Sequence, residues 1–216
     1  MYIFISYQTA DKHVAGEIQN ILEAVGIESF LAHEDIEVSV EWRGKILEEI
    51  GKANVFISLL SEGYYSSSWC VQESGIAAYR KNMTEIPLSI DGRIPEGFAG
   101  NIQSTRIDPE HVSLIDLLPG LIRHDFELGT NLIIEIIGRS GSFRNAEANY
   151  SLILPYLENL SEEQIKVLLE KIRANGQIHH AGQCAKEFIP PLLENYGHLL
   201  EPEDLKYLKE VCERYA

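Results

Sequence analysis

Short apolar runs alternate with helically spaced apolar residues over the first half of the chain, an alternation that predicts βαβ units. Tyr2 to Ile5 reads as a buried strand, and Val14, Ile18, Ile21, Leu22 and Val25 then fall at helical spacing before Gly26, a C-terminal stop. Ile27 to Leu31 is a second strand. A polar segment, His33 to Glu41, leads into a helix whose Trp42, Ile46 and Ile50 share a face. Val55 to Leu60 is the third strand, and a third helix runs from about Trp69 to Lys81. Glu85 to Ile90 and Ser104 to Ile107 complete the strands, separated by the Gly- and Pro-containing loop Asp91 to Gly100. The expected architecture is α/β: a flavodoxin-like five-stranded parallel sheet with covering helices.

Past Asp108 the strand signal fades. Val112 to Arg123 and Leu128 to Ile137 are apolar enough to cover one side of the sheet, with Pro119 expected to break or begin a helix. Gly138 to Ser142 reads as a linker, so the pattern draws a first domain over residues 1–140 and a small all-α domain over 145–216. In the latter, Ser161-Glu162-Glu163-Gln164 has capping-box spacing ahead of the stripe Ile165, Leu168, Leu169 and Ile172. Leu205, Leu208, Val211 and Cys212 repeat the stripe within Glu203 to Tyr215. Two such helices hold too few residues for a large independent core, so their faces are expected to pack on each other, on the first domain or on a partner chain.

The length of 216 residues suits one ordinary domain with a smaller appendage. A formal net charge of −15 argues against nucleic acid as the main partner, since that affinity is built from clustered Lys and Arg, and against anionic membranes. Three widely spaced cysteines, Cys70, Cys184 and Cys212, make neither a disulfide framework nor a zinc-ligand pair. The start Met1 to Ser6 has no basic n-region, and no stretch approaches the roughly 20 apolar residues of a membrane span. A cytoplasmic location is expected. His179-His180 lack companion ligands at metal spacing and read as a helix-end or loop pair.

The segment most suggestive of chemistry is Trp69-Cys70-Val71-Gln72-Glu73, which opens a helix after the third strand and the loop Ser61 to Ser68. Ligands of open α/β sheets bind at the carboxyl ends of the strands, where this helix starts. Residues four apart share a helix face, so Trp69 and Glu73 are expected to line one wall. Taken alone, a helical Glu beside a Trp is an ordinary solvated face. Cys70 has the exposed helix-start position that lowers a thiol pKa, though no His motif accompanies it and structural use is the better reading.

Phe4-Ile5-Ser6-Tyr7 at the first strand end, Phe30 to Ile36 leading out of the second strand, and Trp69 to Glu73 together resemble the TIR domain in type, order and spacing. The resemblance covers roughly residues 1 to 140 and is similar to the bacterial, NAD-cleaving branch, whose members place a catalytic glutamate where Glu73 stands. It implies cleavage of the nicotinamide–ribose bond of NAD⁺, which is a substrate here with no further cofactor and no metal, followed by hydrolysis or cyclisation. It implies a role in immune signalling, commonly antiphage defence, and self-association through the TIR or helical domain.

By that resemblance Tyr7, Trp42 and Trp69 line the pocket, and His33 stands where other members often carry an acidic residue. Trp42 lies on the Ile46 and Ile50 stripe, so a core role stays open for it, as for Tyr7; His33 reads better as a loop histidine fixing a turn than as a base, since no partner for proton transfer is visible. The segment after Tyr7, Gln8-Thr9-Ala10-Asp11, lacks the basic residue some NAD-cleaving members carry there. No Gly-rich dinucleotide loop is present, which sets a dehydrogenase aside. The competing classes are a non-enzymatic adaptor signalling through TIR–TIR contacts at His33 to Glu41, and a nucleoside-processing or base-exchange enzyme.

Overall fold

The computed structural model describes residues 1–32 and 42–215; His33 and the segment His33 to Glu41 lie outside the described residues. Five strands, β1 (Tyr2–Ser6), β2 (Glu28–Leu31), β3 (Val55–Leu60), β4 (Thr84–Ser89) and β5 (Thr105–Arg106), form one parallel sheet in the order β2-β1-β3-β4-β5. Each lies within a residue or two of the expected position; the central strands β1 and β3 do so because strands buried on both faces read as near-continuous apolar runs.

Register puts Phe4 level with both Phe30 and Phe56. Neighbouring strands in register point the same way, so the three rings lie side by side, with centroids 5.5 Å and 5.6 Å apart. Helix α1 (Lys12–Glu23) packs on β2 and buries Val14, Ile18 and Leu22. It ends at Gly26, whose φ of +76° lets the Ile27 N–H turn back to the Leu22 carbonyl at 2.9 Å. Helix α2 (Trp42–Lys52) lays Ile46 and Ile50 over the Phe4 cluster. From the same helix the buried Glu49 accepts bonds from Tyr2, Lys45 and Lys52. Burial works to raise its pKa, and these donors outweigh burial and hold it down at about 2.

Helix α3 (Ser68–Tyr79) is started by Ser67, whose hydroxyl accepts from the Cys70 N–H. Helix α4 (Leu114–His124) lies against β4, with His124 Nδ1 2.9 Å from Thr84 Oγ1 and Arg123 bonded to the Glu85 carbonyl. It runs through Pro119 instead of breaking there; the proline only deprives the Ile115 carbonyl of its usual N–H donor. The close approach of α4 to the sheet requires Gly120, since a Cβ there would fall 2.4 Å from Ile86 Cδ1 and 2.5 Å from Ile86 Cγ1. Gly120→Ala is therefore expected to destabilise this unit by about 1–3 kcal/mol through overpacking. Urea denaturation measures the loss, and Ile86→Ala in the same chain should recover part of it.

The chain divides into two compact units, Met1–His124 and Asp125–Ala216. The division falls before α5 (Phe126–Gly138), which the apolar pattern assigned to the sheet; α5 packs instead on α7 (Glu162–Ala174). The sequence reads Gly138 to Ser142 as a linker, yet this stretch is a pinned corner within the second unit. Asn175 Nδ2 donates to the Gly138 and Ser140 carbonyls, both at 3.0 Å, and Asn149 Nδ2 donates to Ser140 Oγ at 3.0 Å.

The second unit has a core of its own. The capping box expected at Ser161 is present, and its Gln164, itself buried, also donates to Thr130 Oγ1 and Asn131 Oδ1 at 2.8 Å each, tying α7 to α5. From α6 (Phe143–Ser151), Tyr150 stacks on Phe188 at 5.0 Å. Beyond the short α8 (Gly176–His179), a π-turn over Cys184–Phe188 leads into α9 (Ile189–Tyr196), and α10 (Pro202–Glu213) closes the bundle. His179 ends α8 as a buried residue with Nδ1 2.7 Å from the Ile172 carbonyl and Nε2 3.2 Å from Tyr207 Oη. These bonds engage both ring nitrogens, so the imidazole is a structural part of the bundle. Among the described residues no helix is long and apolar enough to cross a membrane.

Candidate functional site

Below the Ser67 cap, α3 buries Cys70, Glu73 and Ala77, which lie at i, i+3 and i+7 and so share one face. Glu73 is 1% exposed. Its Oε2 accepts from Ser6 Oγ at 2.6 Å, and Ser6 in turn accepts from Tyr64 Oη at 3.0 Å. Ser6 is the last residue of β1, level with Ser58 of β3, so the carboxylate sits at the carboxyl end of the central strands. Its other oxygen, Oε1, has no hydrogen-bond partner among the described residues. Burial pushes the Glu73 carboxyl up to about 7, with the Ser6 bond pulling the other way.

Trp69 is 37% exposed one turn before Glu73, so of the pair expected to line one wall the indole reaches solvent and the carboxylate is covered. Trp42 begins α2 at 39% exposed, so its ring is not part of the core that Ile46 and Ile50 enter. Tyr7 is fully buried, its carbonyl accepting from Cys70 Sγ at 3.4 Å. The exposed helix-start position expected of Cys70 is overturned: the thiol is fully buried, and burial pushes it up to about 11. At neutral pH it is a protonated thiol and a poor nucleophile.

Two residues of the Glu73 cluster carried no sequence signal of their own. Ser6 lies inside the Phe4-Ile5-Ser6-Tyr7 motif with no role implied for it, and Tyr64 lies in a polar loop; Ser6 is 58 positions from Tyr64 and 67 from Glu73. A Tyr shortly after a strand is not by itself a sign of burial, and only the closed loop makes Tyr64 fully buried.

A solved structure, the TIR domain of the Toll-related receptor TRR-2 from Hydra magnipapillata, is similar at 19% identity with a TM-score of 0.45, covering 57% of this chain and 94% of that one. No curated protein matches. The family model described as TIR domain matches residues 3–118, more than half of the chain, and with that match the chain belongs to the TIR domain family.

Proposed function

We propose that this protein is a TIR enzyme that cleaves the nicotinamide–ribose bond of NAD⁺, with Glu73 as its catalytic carboxylate. The observation that carries this reading is a buried carboxylate at the carboxyl ends of the strands, with one oxygen tethered by Ser6 and the other unpartnered among the described residues. Ordinary glycosidases need two carboxyl groups because the leaving group must be protonated. The nicotinamide of NAD⁺ is already a cationic pyridinium and departs as a neutral base, so one negative charge beside the developing ribosyl oxocarbenium suffices. Hydrolysis and cyclisation differ only in whether water or the adenine ring captures that cation.

Because Glu73 is almost fully covered, it meets a ribose only after the atoms over it shift. That fits an enzyme whose site is completed by self-association. Incubating the purified protein with NAD⁺ over a wide range of protein concentration, with products identified by mass spectrometry, tests both points. Nicotinamide release with specific activity rising with concentration is the expected result; intact NAD⁺ at every concentration sinks the enzyme reading.

Trp69, exposed one turn before Glu73, is the ring best placed to stack on substrate. Trp69→Ala is expected to raise KM by about tenfold, with Trp69→Phe recovering part of the loss. Equal KM in both variants would leave Trp69 without a binding role.

The second reading is a non-enzymatic adaptor, favoured by exposed apolar residues of the first unit: Val71 (46%), Ile94 (72%) and Phe98 (86%). Under that reading the protein associates but leaves NAD⁺ intact.

A further inference from the structure

The chain Tyr64 to Ser6 to Glu73 is closed to solvent: the three residues are 0%, 0% and 1% exposed. A serine hydroxyl has one proton to give. Tyr64 donates to Ser6 Oγ, so the Ser6 proton is directed onward to Glu73 Oε2. Burial holds the Tyr64 phenol well above its ordinary range, so it remains a donor. Each link is therefore oriented toward the carboxylate.

We propose that Ser6, oriented by Tyr64, is a positioning residue that divides the two oxygens of Glu73 into a tethered one, Oε2, and a reactive one, Oε1. The assignment of Oε1 to substrate rests on the NAD⁺-cleavage reading above; the tether itself does not. Without it, a two-χ carboxylate swing would move the charge away from the reacting ribose, and displacements of this kind are costly in catalysis. The tether also counteracts burial. Water exclusion favours the neutral acid, while a donor to Oε2 favours the ion, and the balance leaves Glu73 close to half ionised near pH 7.

The titratable neighbours that act on this cluster are Tyr64 and Tyr65, from the loop after β3, and Cys70, from the preceding turn of α3. Burial raises all three, and the bond from Cys70 to the Tyr7 carbonyl engages the thiol elsewhere. All three stay neutral while Glu73 titrates, so a glutamate midpoint observed near neutrality belongs to Glu73.

The test is a pH titration of the substrate-free full chain carrying ¹³C-labelled glutamate carboxyls, with Glu73→Gln assigning the resonance, beside the pH profile of NAD⁺ turnover. Ser6→Ala is expected to move the Glu73 midpoint upward by about one pH unit, since the donor that favours the ion is gone. The acid limb of kcat/KM moves with it, kcat falls about tenfold and KM changes less than about twofold. Ser6→Thr, which keeps the hydroxyl, restores most of both. Tyr64→Phe preserves the ring in the core and shifts the midpoint the same way by less, which keeps the test decisive if Ser6→Ala does not fold. An unmoved midpoint in Tyr64→Phe and Ser6→Ala overturns the tether. A midpoint that moves in a protein that never cleaves NAD⁺ upholds the tether and overturns the assignment of Oε1 to substrate.

Discussion

Glu73→Gln is expected to leave the protein folded and to lower the proposed NAD⁺ cleavage by about 100-fold or more, the scale on which a single pre-organised electrostatic partner of a transition state acts. The amide has the shape of the carboxylate and still accepts from Ser6, so the loss lies in turnover and not in assembly. The same change should raise stability in alkaline solution. The folded carboxyl is raised from 4.5 to about 7, so the native state binds its proton more tightly than the unfolded chain does. Stability from this group is fully present below the unfolded value and is lost as pH rises through the folded one. Above pH 7 the wild type carries a buried charge that Gln lacks, a difference of about 3 kcal/mol at most. The expected pattern is a Tm advantage for Glu73→Gln at pH 8.5 that disappears at pH 4.5. Turnover unchanged in a folded variant would remove Glu73 from the mechanism, and a Tm gap independent of pH would remove the buried-charge account.

At Tyr150 two substitutions are expected to act in opposite directions. The ring is fully buried against Phe188, 5.0 Å away and inclined by 15°, while its hydroxyl has no hydrogen-bond partner among the described residues. Tyr150→Ala removes the ring and leaves a cavity, which costs about 3–5 kcal/mol. Tyr150→Phe keeps the stacking and deletes only an unsatisfied polar group, for a gain of about 1 kcal/mol. Chemical denaturation followed by far-UV circular dichroism measures both, because the second unit is helical throughout. A loss in Tyr150→Phe comparable to that of Tyr150→Ala would mean that the hydroxyl is bonded after all.

The parallel sheet was legible because its central strands are apolar runs, Val55 to Leu60 being buried along its whole length, and because Gly26 marks a helix end that only a positive φ allows. The three motifs that carry the TIR resemblance were equally legible, being local in the chain. The Ser161 capping box was found from three-residue spacing alone. Periodicity reports how apolar a face is without saying what covers it. The stripe of α5 suits a sheet as well as a helix, and only the packing places it on α7. The Gly and Ser residues of 138–142 look like a linker until Asn149 and Asn175 bind their carbonyls and hydroxyl from elsewhere in the chain.

The candidate site divides along the same line. That a glutamate, a cysteine and a tryptophan open the helix after β3 is a property of the sequence. Which of them faces inward depends on how the helix packs on the strands beneath, and that packing buries Cys70 as well as Glu73 while leaving Trp69 partly in solvent. The ionisation of Glu73 was beyond sequence reasoning for a plainer reason. A carboxyl pKa depends on water exclusion and on donors within about 3 Å, and here the donor comes from a strand 67 positions away. The sequence by itself determined the strand and helix menu and singled out the candidate carboxylate; the tertiary structure decided what surrounds that group, because burial and hydrogen-bond partners arise only where distant segments meet.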